Sequence, residues 1–189
     1  MIPDLLLPLI TVGLAELGDK TQLSVLLLAS RTKNHMELFV GVMMGFLVVD
    51  GAAVLIGSSV AELLPISVLK PLSGIIFVIF GILMLRQKDD GSESQTYSRN
   101  PLLSGLIMIL LAEWGDKTQI AAAIFAAEYN PLQVLIGVMA ALTMLSVIAI
   151  YLGRFIAQRI NCRLISKIAG TLFILIGISF ALSAINLYA

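Results

Sequence analysis

Ala15-Glu16-Leu17-Gly18-Asp19-Lys20-Thr21-Gln22 and Ala112-Glu113-Trp114-Gly115-Asp116-Lys117-Thr118-Gln119 differ only at their third position. Each copy sets two carboxylates and one ammonium inside a long apolar stretch. A charge at the centre of a membrane helix costs roughly 2.5–3.5 kcal/mol per Asp or Lys. A chain that accepts this cost in two places has a use for it. On a continuous helix residues three apart share a face, so Glu16 and Asp19 are expected to point one way, as are Glu113 and Asp116. Gly18 and Gly115 lie between them, where glycine weakens the helix and lets backbone approach. Thr21, Gln22, Thr118 and Gln119 add neutral oxygens one turn onward.

Brought together, the four acids make a cluster of hard oxygens without nearby thiolate or imidazole. Such a cluster suits Ca²⁺, Mn²⁺ or Mg²⁺ and disfavours Cu⁺ or a Cys/His zinc site. Four carboxylates less two ammonium groups leave a charge of −2, which one divalent cation or two protons would neutralise. Competition between metal and protons for one site is the minimum device for cation/proton antiport. Lys20 lies four residues after Glu16, the favourable order for an intrahelical pair, so Lys20 and Lys117 are expected to hold carboxylates in place. The other reading makes them movable positive charges, released when metal binds. Asp50 extends the site, carries a proton, or packs as a neutral acid; its place in the other half is taken by Ser146. The plainest alternative for the whole motif is an ion-pair lock between helices, but a lock needs no second copy and leaves two surplus negative charges.

The elements that must position these groups are membrane helices. Of 189 residues, 59% are hydrophobic and 13% charged, with mean hydropathy +1.00, against about 25% charge in soluble domains. The formal net charge is zero, which argues against a nucleic-acid or other polyanionic partner. The single Cys162 falls in a basic loop and makes no intrachain disulfide, and the lone His35 is expected to be a solvated loop residue. No basic segment precedes the first apolar stretch, which therefore reads as a retained span.

Six apolar runs give six transmembrane helices, at Leu5–Ser30, Leu38–Ser59, Val68–Leu85, Leu102–Ala127, Val134–Ile156 and Leu164–Leu187. The polar segment 87–100 reads as a cytoplasmic linker between a first repeat, 1–86, and a second, 101–189. The motif copies are offset by 97 residues, and Gly41/Gly137, Gly57/Gly153, Gly74/Gly170 and Gly81/Gly177 by 96. Three spans is an odd number, so the second repeat enters the membrane from the opposite side. The expected fold is thus an all-α membrane protein of two inverted three-helix repeats, with a site at mid-bilayer. Loops on one side hold Arg31, Lys33, Arg86, Lys88, Arg99, Arg154, Arg159, Arg163 and Lys167, and the other side only Lys70. That imbalance puts both termini outside the cytoplasm.

The repeated Glu-x-Gly-Asp-Lys-Thr resembles the signature E-x-G-D-[KR]-[ST] of the Gdt-type family of membrane cation transporters, and both copies match every fixed position. That group contains the Golgi manganese/calcium transporter of eukaryotes and small prokaryotic manganese exporters. The resemblance covers the whole six-span plan. It implies a Mn²⁺ and/or Ca²⁺ transporter exchanging with H⁺, with Glu16, Asp19, Glu113 and Asp116 as cation ligands and Thr21, Thr118, Gln22 and Gln119 as weaker ones. The family often has a small hydroxyl residue at the place of Ser146, from which Asp50 departs. The absence of a long N-terminal extension points to a prokaryotic plasma-membrane protein.

The expected function is secondary transport, exporting the cation from the cytoplasm, with the ion as cargo, no cofactor, and a monomer or homo-oligomer in the bilayer. A passive divalent-cation channel is the alternative. An organic-cation exporter is disfavoured by the lack of an aromatic cage. An enzyme is not expected, since H-E-x-x-H and G-x-S-x-G are missing.

Overall fold

The computed structural model describes residues 2–17, 19–86, 100–152 and 162–185, and among these it is all helical. In chain order the helices are α1 (Ile2–Glu16), α2 (Lys20–Arg31), α3 (His35–Leu63), α4 (Ile66–Arg86), α5 (Pro101–Glu113), α6 (Lys117–Glu128), α7 (Pro131–Val147) and α8 (Cys162–Ile185). A π-helical turn, Ile148–Leu152, continues α7. His35–Leu63, Ile66–Leu83 and Pro131–Tyr151 are long and apolar enough to cross a bilayer, and Thr21–Ser30, Pro101–Glu113 and Lys167–Ser183 are shorter apolar helices. Leu55, Leu63 and Leu111 are among many large apolar side chains left exposed, as a surface in contact with lipid requires.

The sequence signals its own helix ends. Asn100 Oδ1 accepts from the backbone N–H of Leu102 and Leu103, and Asn130 from that of Gln133, each followed by a proline at the first helical position. Such pairs satisfy orphan donors and preset φ for the helix. Leu64, ahead of Pro65, is extended and closes α3.

Two of the expected spans are not single helices. Leu5–Ser30 is divided into α1 and α2, and Leu102–Ala127 into α5 and α6, each time at the charged motif. The continuous helix expected to put Glu16 and Asp19, and Glu113 and Asp116, on one face is therefore absent, because a helix end falls between the members of each pair; Glu16 and Asp19 nevertheless converge. Cys162, expected in a loop, is the first residue of α8; its side chain lies outside the described residues, as do Gly153, Arg154, Arg159 and most of the 87–100 segment.

Helices from the two halves pack on one another in matched pairs: α3 with α5, α1 with α7, and α4 with α8. A Cβ added to Gly41 would meet the carbonyl of Leu102, and one added to Gly137 would meet that of Leu5. Allowing for the sequence offset, each contact is the other with the halves exchanged. Between α4 and α8 the exchange is reciprocal, with Gly74 against the Gly177 carbonyl and Gly81 against that of Gly170. That order makes α4 and α8 antiparallel, whereas Gly41 facing Leu102 and Gly45 facing Ile109 make α3 and α5 parallel. An aromatic cluster ties α6 to this pair: the Phe77 ring lies 5.0 Å from Phe125, 5.2 Å from Phe173 and 5.7 Å from Phe180.

Candidate cation site

Each motif helix breaks just before its aspartate. Gly115 has φ +84°, a left-handed conformation that ends helices and that side-chain-bearing residues resist. Asp116 is the N-cap of α6, with the Ile120 N–H bonded to its carbonyl at 3.2 Å. In the first half the backbone bonds repeat: Asp19 N–H to the Glu16 carbonyl matches Asp116 N–H to that of Glu113, both at 3.1 Å. Gly18 itself lies outside the described residues. The Asp116 carboxylate makes no capping bond to its own helix, which leaves it free to face the site.

The breaks put Glu16 and Glu113 at the C-terminal ends of α1 and α5, where the helix dipole opposes negative charge and favours a cation. Glu16 is 0% exposed and Glu113 3%. Carboxylate oxygens of Glu16, Asp19 and Asp116 all lie within 4.8 Å of one another. Oxygens around one Ca²⁺ ion lie up to about 4.6–5.2 Å apart, so this spacing is compatible with ligands of a shared cation. Glu113 lies beside this group: its Oε2 accepts from Thr118 Oγ1 at 3.4 Å, and Thr21 of the other half hydrogen-bonds the same side chain. Both oxygens of Glu16 and Oε1 of Glu113 have no hydrogen-bond partner. Buried carboxylates without donors are costly unless a cation or proton serves them.

Lys117 does not pair with Glu113 along its own span. Its Nζ lies 2.5 Å from Asp19 Oδ2, across the halves, and 3.7 Å from Asp116 Oδ2. The Lys20 side chain, and with it the expected Lys20–Glu16 pair, lies outside the described residues. Gln119 Oε1 accepts from Gly115 N–H at 2.6 Å and its Nε2 donates to the Val49 carbonyl at 3.2 Å. Gln22 is buried with neither polar atom partnered. Asp50 is buried on α3, within electrostatic range of Glu113. Ser146 is fully buried on α7 with its hydroxyl unpartnered, two residues before the π-helical turn. Thr11, 0% exposed and also unpartnered, is a polar group the motif reading missed, and it sits five residues before Glu16 on α1. His35 is not the solvated loop residue expected: it opens α3, bonds the Ala29 carbonyl at 3.1 Å and meets the Tyr151 ring edge-on.

The model of the family described as "Divalent cation/proton antiporter GDT1" matches residues 4–92 and 101–187. The chain belongs to this family. It is 34% identical over 174 residues to a Vibrio cholerae protein named "Putative manganese exporter", covering 90% of this chain and 86% of that one. A GDT1-like protein of Synechocystis is 29% identical over 192 residues, covering 90% and 92%. A GDT1-like protein of Oryza sativa subsp. japonica is 26% identical over 210 residues, covering 90% of each. No solved structure matches the chain at a significant level. The GDT1 family is one of transporters, not enzymes, and its membership together with the apolar helices makes this an integral membrane protein. A divalent cation and protons are the substrates the family description gives.

Proposed function

We propose that this GDT1-family protein exports Mn²⁺ and/or Ca²⁺ from the cytoplasm in exchange for protons, binding the cation between Glu16, Asp19, Glu113 and Asp116. The observation that carries the reading is the approach of Glu16, Asp19 and Asp116 oxygens to within 4.8 Å across two halves of the chain. Helix breaks at the same place support it, since discontinuous helices in transporters bring helix ends and freed backbone to a central ion. We assign Thr21, Thr118, Gln22 and Gln119 to the polar lining and Asp50 and Ser146 to supporting roles, Asp50 as the proton carrier; the interaction of Asp50 with Glu113 supports that role. The cation is cargo, and no resident cofactor is invoked. The name of the Vibrio cholerae relative favours manganese.

The framework we infer for this site is six spans in two inverted repeats, 1–86 and 101–189, with both termini outside the cytoplasm of a plasma membrane. The exchanged contacts Gly41–Leu102 and Gly137–Leu5 and the antiparallel α4–α8 pair support it, because a twofold axis in the membrane plane demands such images.

The test is flux of Mn²⁺ and Ca²⁺ in liposomes bearing an imposed pH gradient. Asp19→Asn and Asp116→Asn are each expected to abolish flux while leaving the protein folded. Near-native flux in either variant removes that acid from the site. Flux indifferent to the pH gradient replaces exchange with a passive channel.

A further inference from the structure

Lys117 begins α6, yet its side chain serves the other half, with Nζ 2.5 Å from Asp19 Oδ2 and 3.7 Å from Asp116 Oδ2. These two carboxylates belong to the trio gathered within 4.8 Å. A Ca²⁺ ion held by Asp19 would sit about 2.3–2.6 Å from that carboxylate oxygen. The ammonium nitrogen already occupies this shell on the side facing Asp116. Two positive centres cannot share it, so the site loads only if Lys117 leaves.

The ammonium fills the place incompletely. It carries one charge and three donors, and it leaves both oxygens of the wholly buried Glu16, and Oε1 of Glu113, without a partner. A divalent ion brings twice the charge and accepts six or more oxygen ligands. It therefore satisfies groups that Lys117 cannot reach. With neither cation in place, buried carboxylates would face one another uncompensated, the arrangement buried charge tolerates least.

We propose that Lys117 is a tethered place-holder, which occupies the cation position while the site is empty, ties Asp19 of one half to Asp116 of the other, and is displaced still charged when the divalent cation binds. This rests on the reading of the acid cluster as the cargo site. Being covalently attached, the ammonium cannot depart with the cargo, and it returns when the cargo leaves. It lowers affinity for the ion by the cost of its own displacement, and so favours release.

The experiment is Mn²⁺ binding to the full chain in lipid nanodiscs, read from the electron paramagnetic resonance signal of free Mn²⁺. Lys117→Gln removes the competitor and is expected to bind at least about tenfold tighter. Lys117→Arg, whose guanidinium grips carboxylates bidentately, is expected to bind about tenfold more weakly. A purely structural lysine would make Lys117→Gln bind worse. Unchanged or weaker binding by folded Lys117→Gln overturns the place-holder. Should that variant not fold, Lys117→Arg binding as tightly as the native protein overturns it. Loss of binding in Asp19→Asn upholds the cargo site separately. A native protein that binds no Mn²⁺, or an Asp19→Asn variant that binds like native, overturns the cargo site and the place-holder together.

Discussion

The two copies of the motif share seven of eight residues and the same backbone break, yet their surroundings differ. In the second copy Gln119 is bonded at both ends, to the Gly115 N–H and the Val49 carbonyl. In the first, Gln22 is buried with no partner at all. The helix after the second break, α6, packs along α3, and its Phe125 and the C-capping Tyr129 join the aromatic cluster of α4 and α8. The helix after the first break, α2, packs on the π-helical turn that follows Ser146 and on α5. Identical side chains thus end in two states, one glutamine tied into backbone and the other buried without a bond. The motif supplies the same side chains twice, and the Val49 carbonyl, outside the motif, helps to tie down one glutamine and not the other.

Three sets of substitutions sharpen this contrast. The largest effect is expected at Gly57, where an added Cβ would run into the backbone carbonyl of Ala123 on α6. Gly57→Val should cost about 3 kcal/mol by forcing the two helices apart, read as a lower thermal unfolding temperature in detergent. Gly51→Ala on the same helix meets open space and should be neutral or slightly stabilising. Next comes the glutamine pair. Gln119→Ala strands the Gly115 N–H and should cost about 1–2 kcal/mol, whereas Gln22→Ala removes two atoms that already lack partners and should cost nothing or stabilise. Equal losses at both positions would mean that the halves are held alike.

The smallest effect concerns the outer end of α6, beyond the span read at Leu102–Ala127. Burial pushes the Glu128 carboxyl above its usual range, against the opposing pull of its Ser73 bond and of Lys70. The folded form therefore holds this proton more tightly than the unfolded chain. Its contribution to stability is complete below the ordinary glutamate value of 4.5 and fades as pH rises through the raised folded value. Glu128→Gln, which does not ionise, should flatten that part of the curve of unfolding temperature against pH. An unaltered curve would show that α6 is held without regard to this charge.

The gathering of the motif acids was legible in the residues themselves. Acids standing twice in apolar sequence announced a cluster, and the carboxylates of Glu16, Asp19 and Asp116 lie together. The break was legible too and was passed over. Gly115 followed by Asp116 is a helix stop followed by a helix start, but apolar residues on both sides gave the appearance of one long span. Lys117 pairing with Asp19 was not legible. The two are 98 residues apart, and local spacing favours the partner four residues away over one brought in by the fold. The asymmetry around Gln22 and Gln119 was equally hidden, because it lies in backbone carbonyls and helix packing that leave no mark on side-chain identity.

The reciprocal glycine contacts of α4 and α8 bear on the chain's covalent continuity. Gly74 against Gly177 and Gly81 against Gly170 form a surface in which each partner reads the other's counterpart, as in an isologous dimer interface. Such a surface recognises its mate without a peptide tether. A gene cut between these segments should yield two polypeptides that find each other in the bilayer, and a primitive single-length version could have done the same with a copy of itself.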